Sequence, residues 1–398
     1  MGSTTRGLPA YATAALLVRL ADEGARVGLV LLAVERLESP TVGGLLVAVL
    51  LVPHVVAAPV VGLLVDRARR PQLVVAAAAT AFGLALVSTG AGLGRLPLPL
   101  LVIVLVAGGC CGPALTGGLT SQLPALLPSE RLPRAFGLDS LTYNVAGIAG
   151  PALTAVLAGA VSAGPATIAL GTSACAGGVI VATLSVRGHA TAGARIGAGD
   201  LLGGARVLVR EPVLATVTGA TTLGQLGAGA LPVIAVLLAE RQDGPAAAGW
   251  LLTSVAAGGL LGSLLWTWRP AAAQHAPIVV MVGLVGTGLP LAVAVWSTSL
   301  VVTAALFALS GCCNGPLFGA LLTVRNEHAP PAYRSQVFTL SAGARLTTTA
   351  AGSALAGAAA GLPVRVLLLS AAATALVGGG AGLLALRRVC QQGEGDRA

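Results

Sequence analysis

The chain is a succession of apolar runs, each about the length of a membrane helix and separated by short polar or Pro/Gly breaks. A membrane-spanning helix needs about 20 mostly apolar residues, and this pattern predicts twelve of them. The boundary between the ninth and tenth spans is the weakest, since only Ser297, Thr298 and Ser299 divide them. The predicted spans are 11–34, 41–65, 72–93, 97–121, 135–160, 163–187, 212–238, 245–268, 276–296, 298–323, 335–361 and 363–386.

The composition excludes a soluble globular enzyme. Of the 398 residues 56% are hydrophobic and only 9% are charged, whereas a soluble domain has about 25% charged residues. The 55 glycines suit close packing of helices in a bilayer. Phosphate-binding loops, metal-ligand spacings and nucleophile–base pairs are not recognisable in the sequence. We therefore expect no enzyme, no metal and no cofactor, and the six cysteines are interpreted as small packing residues.

The arginines indicate how the spans are oriented. All 23 basic residues are arginine; three lie inside predicted spans, four fall on one side, and sixteen fall on the side of the N-terminus. Short cytoplasmic loops carry the excess of basic residues, so both termini are expected in the cytoplasm. The net charge of +9 then follows from topology, and no nucleic-acid partner is needed to explain it. Residues 1–9 carry no cleavable signal pattern, so the first span is expected to be retained.

Two similar halves are joined by the longest interior polar stretch, residues 188–211. The repeat predicts an N-terminal six-helix bundle at 1–187, a cytoplasmic linker at 188–211 and a C-terminal six-helix bundle at 212–398. Within the linker, residues 200–210 are interpreted either as a short amphipathic helix on the membrane surface or as an unstructured tether. The recurring residues are Glu35-Arg36, Pro40 and Gly44, found again 205 positions later as Glu240-Arg241, Pro245 and Gly249, and Gly109-Cys110-Cys111, Pro128 and Phe136, found again 202 positions later as Gly311-Cys312-Cys313, Pro330 and Phe338.

The loop between spans two and three carries a recognisable motif, GLLVDRARR at 62–70. It is similar to the loop motif G-x-x-x-D-R-x-G-R-[RK] of the major facilitator superfamily, with matches at Gly62, Asp66, Arg67 and Arg70. With the twelve spans and the repeat, the whole chain resembles this superfamily. The resemblance implies two pseudo-symmetric six-helix bundles that work by alternating access. It also implies a latch in which Asp66 lies at the N-terminal end of span eleven; the alternative is that the arginines only set the topology.

Span five shows a weaker similarity to the antiporter motif of the same superfamily, G-x8-G-x3-G-P-x2-G-G. Gly137, Gly150 and Pro151 match, whereas Ala146, Thr154 and Ala155 stand where glycine is expected. The resemblance implies close helix approach and mildly favours export. Asp139, near the start of this span, is expected to have a structural or gating role. The arginine that the superfamily usually has in span four has no counterpart here.

Span one contains four charged residues near the predicted bilayer midplane: Arg19, Asp22, Glu23 and Arg26. At 100° per residue they share one helix face about 100° wide. Each would cost about 2.5–3.5 kcal/mol in lipid, so the face is expected to point into the protein. One interpretation is that Asp22 or Glu23 binds and releases a proton during transport. The alternative is a fixed ion-pair network that only joins helices.

The remaining candidates lie alone in their spans. Arg345, near the middle of span eleven, is expected either to meet the acids of span one or to bind an anionic substrate directly. The candidate substrate contacts are Tyr143, Asn144, Gln225 and Asn314, each of which an interhelical hydrogen bond explains equally well.

Together these patterns predict a secondary transporter in a bacterial cytoplasmic membrane. We expect it to export a small amphipathic organic compound as a monomer in the lipid bilayer, with protons as the coupling ion and the proton gradient as its energy source. The alternatives are an importer or uniporter of a polar solute, and a membrane receptor of the same fold that transports nothing.

Overall fold

A computed structural model describes residues 4–186, 198–239 and 246–395, which form α-helices and no β-strand. The helices are α1 (Thr4–Leu37), α2 (Pro40–Arg67), α3 (Pro71–Gly92), α4 (Leu98–Pro113), α5 (Leu123–Leu126), α6 (Leu132–Ala160), α7 (Ala163–Ala182), α8 (Gly203–Arg210), α9 (Pro212–Ala239), α10 (Ala246–Trp268), α11 (Ala276–Ala294), α12 (Leu300–His328), α13 (Arg334–Ala358) and α14 (Val364–Gly395). Apart from the short α5 and α8 these correspond one to one with the predicted spans, so the twelve-helix prediction is confirmed.

Ten of the long helices in the described ranges are apolar enough to cross a membrane. The other two, α1 and α13, are comparable in length at 34 and 25 residues but carry more polar side chains in their interiors. Polar residues are tolerated inside a membrane helix when they face other helices rather than lipid. The two helices with the most polar interiors are therefore the ones in which functional side chains are expected.

The chain forms two compact units. The first unit contains Met1–Ser129, Val145–Arg206 and Pro330–Gly343, and the second contains Glu130–Asn144, Val207–Ala329 and Ala344–Ala398. Both α6 and α13 are thus shared: the N-terminal part of each belongs to one unit and the C-terminal part to the other.

The helices pack in the same order within each unit. In the first unit α3 packs on α7 and α4, α1 packs on α7 and α2, and α2 packs on α4. In the second unit α11 packs on α14 and α12, α9 packs on α14 and α10, and α10 packs on α12. The internal repeat read from the sequence is therefore a repeat of helix packing.

One pair of repeated glycines shows this packing at the level of single residues. Gly109 of α4 lies against the backbone of Leu50 in α2, and Gly311 of α12 lies against the backbone of Val255 in α10. Val255 follows Leu50 by 205 positions, as expected for the repeat. A methyl group at either glycine would overlap the neighbouring carbonyl group, so both positions require glycine for close helix approach.

A π-helical turn, Ala114–Gly118, extends α4. Such turns contain one residue more than an α-helical turn and rotate the residues that follow. Pro113 precedes the turn, and Gly117 within it lies against the backbone of Phe338 and Thr339 in the first unit. The turn therefore combines a break in the hydrogen-bond ladder with a close approach of two chain segments.

Part of the predicted linker is helical. Of the two interpretations offered for residues 200–210, the structure shows the short helix α8. Residues 188–197 of the linker, and Glu240, Arg241 and Pro245 of the repeat, lie outside the described residues. The five cysteines whose side chains are described are free thiols, namely Cys110, Cys111, Cys175, Cys312 and Cys313, and the side chain of Cys390 is not among those described.

Candidate functional site

The charged residues of α1 form an ion-pair cluster inside the first unit. Arg26 contacts Glu23 at 2.9 Å and Asp22 at 3.5 Å. Asp22 and Arg19 are buried, with 5% and 1% of their surfaces exposed, whereas Glu23 and Arg26 are partly exposed. The two carboxylates thus differ: Glu23 has a short contact to arginine in an accessible position, and Asp22 has a long contact in a buried one.

The π-helical turn places a partner for Arg19. Thr120 follows the turn by two residues, and its hydroxyl oxygen accepts a hydrogen bond from Arg19 Nη2 at 3.0 Å. The same hydroxyl donates to the carbonyl group of Thr116 at 3.2 Å. Arg19 is therefore held between α1 and α4 in a position that depends on the register of the turn.

The small residues of α6 lie against this cluster. Gly150 packs closely on α1, where a Cβ atom would lie 3.0 Å from the carbonyl oxygen of Leu20 and 3.2 Å from the Cβ atom of Glu23. Thr154, one turn later, donates to the carbonyl group of Gly150 at 2.7 Å and also faces Gly24. Pro151, next to Gly150, is partly buried. The close approach expected at Gly150 is present and brings α6 to the side of Glu23.

The loop motif forms a second polar site in the first unit. The Asp66 carboxylate at the end of α2 accepts hydrogen bonds from the backbone N–H groups of Ser335 at 2.8 Å and Gln336 at 3.0 Å. These are the first residues of α13, where free N–H groups and the helix dipole favour an anion. Asp66 is fully buried. Gly62, one turn earlier, admits α13, because a Cβ atom there would lie 2.6 Å from Gln336 Cα.

Residues of the linker bind to the same site. Arg67 forms an ion pair with Asp200 at 2.8 Å. The side chain of Gln336 donates to the carbonyl oxygen of Asp200 at 2.9 Å and accepts from the N–H group of Gly204 at 2.6 Å. Arg70, also part of the motif, is exposed at the start of α3. The sequence did not indicate that the start of α8 would contact α2 and α13.

An aromatic and cationic cluster lies in the second unit. The rings of Tyr143 in α6 and Phe318 in α12 meet edge to face with centroids 5.3 Å apart. The guanidinium carbon of Arg345 lies 4.7 Å from the Phe318 centroid and 5.7 Å from the Tyr143 centroid. Both distances are within the range of cation–π attraction.

Arg325 belongs to the same cluster, and the sequence analysis, which ended span ten at residue 323, did not include it among the candidate residues. The helix α12 continues to His328, and Arg325 is 95% buried within it, since only 5% of its surface is exposed. It lies within electrostatic range of Arg345 and Tyr143. Its Nε atom is buried and has no hydrogen-bond partner among the residues described. The polar sequence Arg325-Asn326-Glu327-His328 ended the apolar run and concealed this burial.

The other predicted residues occupy interhelical positions of the second unit. Asn144 donates to Ser263 of α10 at 2.9 Å, and Gln225 accepts from Thr349 of α13 at 3.3 Å. Asp139 is completely buried in α6, and Asn314 is partly buried in α12. Asn144 and Gln225 thus have the interhelical hydrogen bonds that were considered as the alternative to substrate contact. Within the described ranges no three His, Cys, Asp or Glu residues are grouped in a way that would hold a metal ion.

Comparison with known proteins identifies the protein family that this chain matches. The model of the Major Facilitator Superfamily matches residues 11–242. An uncharacterized MFS-type transporter of Sinorhizobium fredii, y4rN, is 28% identical over 368 residues, which are 88% of each chain.

Two solved structures show the same fold at low sequence identity. A bacterial homologue of the iron transporter ferroportin, crystallised in an outward-facing state, has a TM-score of 0.72 at 17% identity, over 96% of this chain and 100% of that one. The human organic anion transporter MFSD10 has a TM-score of 0.63 at 13% identity, over 97% and 99% of the two chains. At these identities the two structures establish the fold and nothing further about this chain.

Proposed function

The chain belongs to the major facilitator superfamily, and we propose that it is a proton-coupled exporter of a small amphipathic organic compound. Membership makes it a multi-pass membrane protein of the secondary transporter class, with a lipid bilayer around it and a small molecule as substrate. The proposal adds the coupling ion, the direction and the character of the compound.

The observation that carries the proposal is the unequal pairing of the two acids in α1. Glu23 is held by Arg26 at 2.9 Å, whereas the contact from Arg26 to the buried Asp22 is 3.5 Å long. A small rotation of the partly exposed Arg26 removes that contact. Asp22 then keeps only Arg19 of its two arginine neighbours in α1, and a buried carboxylate that loses one of two cationic neighbours takes up a proton more readily, because its charge is costly away from water. Asp22 is therefore our candidate for the proton carrier, and Arg26 is the group that controls it.

The contact at Gly150 couples the charged cluster of α1 to the position of α6. Because α6 touches α1 beside Glu23 without an intervening side chain, a shift of α6 changes the space available to Glu23 and Arg26. We propose that this shift accompanies the exchange between outward-open and inward-open states. Proton movement down the membrane potential supplies about 2.3 kcal/mol per 100 mV for each charge. We propose this proton gradient as the energy source, with no cofactor required.

Asp66 provides the proposed latch. Each of its two oxygens accepts one backbone N–H group at the start of α13, where a negative charge is favoured. Opening of the cytoplasmic side would have to break them, so Asp66 favours the closed state of that side. The arginine distribution supports a cytoplasmic location for this site and for both termini. We propose a bacterial cytoplasmic membrane as the setting and a monomer without enzymatic activity as the working form.

The test uses everted membrane vesicles that contain a pH-sensitive dye and are energised to acidify the lumen. A panel of amphipathic cations, neutral compounds and anions is then added. We expect one of these classes to release protons from wild-type vesicles, and Asp22→Asn to abolish that release while exchange of labelled compound continues. Glu23→Gln is expected to reduce the release less, and the exposed Glu38→Gln serves as the matched control.

Two results would contradict the proposal. If labelled compound equilibrates across the wild-type membrane without any proton release, the protein is a uniporter. If both α1 variants release protons like the wild type, the cluster is a structural network and not the coupling site.

A further inference from the structure

We propose that the end of α10 and Pro316 of α12 form a binding site for one anionic phospholipid of the surrounding bilayer. The phosphate group of this lipid pairs with Arg269, and one of its acyl chains fills the cavity beside that residue. All of the residues concerned belong to the second unit. The inference depends neither on the transported compound nor on proton coupling.

A cavity of about 330 Å³ lies between the end of α10 and the middle of α12. It is lined by Leu265, Trp266, Trp268, Arg269 and Pro316. Apart from the arginine these side chains are apolar or aromatic, and the volume is several times the roughly 30 Å³ that one water molecule occupies in the liquid. A mostly apolar space of this size favours a hydrocarbon chain over water.

The outer face of α10 connects this cavity to the bilayer. Leu261, Leu265 and Trp268 share one face of the helix at spacings of four and three residues. More than half of the surface of each is exposed. Since α10 is apolar enough to cross a membrane, an exposed apolar face of this helix is the face that lipid covers. Leu265 and Trp268 belong to this face and also line the cavity, so an acyl chain reaches the cavity from the side.

Glycines in both helices position the cavity walls. Gly319 of α12 admits the indole ring of Trp266. Gly262 of α10 faces the Pro316 ring, whose Cδ atom would lie 3.0 Å from a Cβ atom at that glycine. Small residues allow this close approach of membrane helices. The cavity is therefore built from two packed helices rather than from loops.

Arg269 gives the site its preference for an anion. Its side chain is exposed and forms no ion pair with any residue in the described ranges. Residues 270–275, which follow it, contain no acid. A phosphate group can therefore pair with this guanidinium group without displacing a carboxylate. A zwitterionic headgroup would also bring an ammonium group, for which residues 270–275 offer no carboxylate.

The depth of the site in the bilayer matches that of a phospholipid. Arg269 follows Trp268, the last residue of the apolar stretch Ala248–Trp268, and tryptophan is enriched at the membrane–water interface. Pro316 lies at the level of Gly262, seven residues before Arg269, which is about 10 Å deeper along the helix. The site thus extends from the headgroups into the hydrocarbon. Arg269 is also on the predicted cytoplasmic side, where the membrane surface is negative.

The test measures the quenching of tryptophan fluorescence by brominated lipids. Two of the four tryptophans, Trp250 and Trp296, do not line the cavity and are replaced by phenylalanine, which leaves Trp266 and Trp268 as reporters. The full-length protein is placed in phosphatidylcholine vesicles with increasing amounts of phosphatidylglycerol or phosphatidylethanolamine that carries bromine on its acyl chains. We expect phosphatidylglycerol to reach half-maximal quenching at an about fivefold lower mole fraction than phosphatidylethanolamine, as expected for one arginine at a membrane surface.

Three variants of this reporter protein locate the preference. Arg269→Gln should make the two lipids equivalent, and Arg269→Lys, which retains the charge, should keep most of the preference. Arg388→Gln changes another exposed arginine of the same unit, near the end of α14, and should leave the preference unchanged. Arg269 is exposed, so its variants should keep the Tm of the parent protein.

The inference is overturned if the two lipids quench the parent protein equally or if the preference persists in Arg269→Gln. An equal loss in Arg388→Gln would assign the preference to the general charge of the protein and would overturn it too. Quenching by neither lipid would show that another copy of the chain covers this face. A preference that is lost in phosphate buffer, but not in chloride of equal ionic strength, would assign the site to a soluble anion.

Discussion

Two contacts related by the internal repeat use the same residue types in exchanged positions. In the first unit Gly62 of α2 faces Thr339 of α13. In the second unit Thr267 of α10, which follows Gly62 by 205 positions, faces Gly137 of α6, which precedes Thr339 by 202 positions. In each case a glycine on one helix admits the other helix to backbone distance. The contact is therefore present in both units, but the glycine lies in α2 in the first unit and in α6 in the second.

The two contacts differ in what holds them. The first has Asp66, whose carboxylate binds two N–H groups at the start of α13. At the position 205 residues after Asp66 the second has Ala271. Neutral hydrogen bonds take its place, since Ser263 contacts Ser140 at 3.1 Å and Asn144 at 2.9 Å. The duplicated packing contact in the first unit thus has a buried carboxylate at a helix N-terminus, where the second unit has alanine at the corresponding position.

The largest difference between the contacts should appear on substitution of Asp66. Asp66→Ala leaves two buried N–H groups without an acceptor, at an expected cost of about 2–4 kcal/mol, which corresponds to about 30- to 1,000-fold faster amide exchange at this site. Hydrogen-exchange mass spectrometry of residues 330–343 measures this effect. Asp66→Asn keeps one carbonyl acceptor, so amide exchange in this variant should be faster than in the wild type and slower than in Asp66→Ala. Unchanged protection of residues 330–343 would show that packing alone holds this contact.

Smaller effects are expected when the two glycines are replaced by alanine, and the larger of them is expected at Gly62. Gly62→Ala places a Cβ atom 2.6 Å from Gln336 Cα, and Gly137→Ala places one 3.0 Å from Thr267 Cα. Overpacking of this kind costs about 1–3 kcal/mol, so the Tm should fall in both variants. Matched controls lie in the same helices, at Gly44 in α2 and Gly147 in α6, where an added methyl group meets open space.

The two control variants separate overpacking from the general effect of replacing glycine by alanine in a helix. Gly44→Ala and Gly147→Ala should leave the Tm unchanged or raise it, since alanine stabilises a helix by about 0.5–1 kcal/mol over glycine. If Gly62→Ala or Gly137→Ala behaves like its control, then that helix contact is looser than the structure shows.

The smallest effect concerns the contact of the linker residue Asp200 with Arg67 and Gln336. Asp200→Asn removes the ion pair with Arg67 but keeps the backbone acceptor for Gln336. Since both side chains are partly exposed, the cost is about 0.2–1 kcal/mol and should diminish as salt is added. Hydrogen exchange of residues 198–206 measures it. Gln336→Ala, which removes both of its bonds to the linker, should increase exchange more; an equal effect of the two variants would assign the docking to charge alone.

The sequence predicted the features that follow from a bilayer or from helical periodicity. Twelve helices are required because each apolar run must cross lipid, and the four charges of α1 fall on one face because of their spacing. The contact between Asp66 and α13 was implied by the loop motif. These features depend on local pattern or on a short motif, and both are present in the sequence itself.

What the sequence did not predict depends on distant partners or on polar helix ends. Asp200 binds Gln336, which lies 136 positions further along the chain, and nothing near either residue indicates the other. Arg325 follows the apolar part of α12, so its burial depends on how other helices surround the end of that helix. The choice between Asp22 and Glu23 required their distances to Arg26, because their spacing along the helix allows both pairs.

Because of the π-helical turn at Ala114–Gly118, the orientation of the residues that follow depends on the number of residues in this stretch as well as on their identity. Removal of one residue from this stretch would restore an α-helical turn and rotate everything after it by about 100°. Thr120 would then turn away from Arg19, and Ser121 from Ser335, its partner at 2.9 Å. A gap of one residue in this stretch, found on aligning a relative, would therefore mark the loss of two contacts at once, even if every aligned residue were identical.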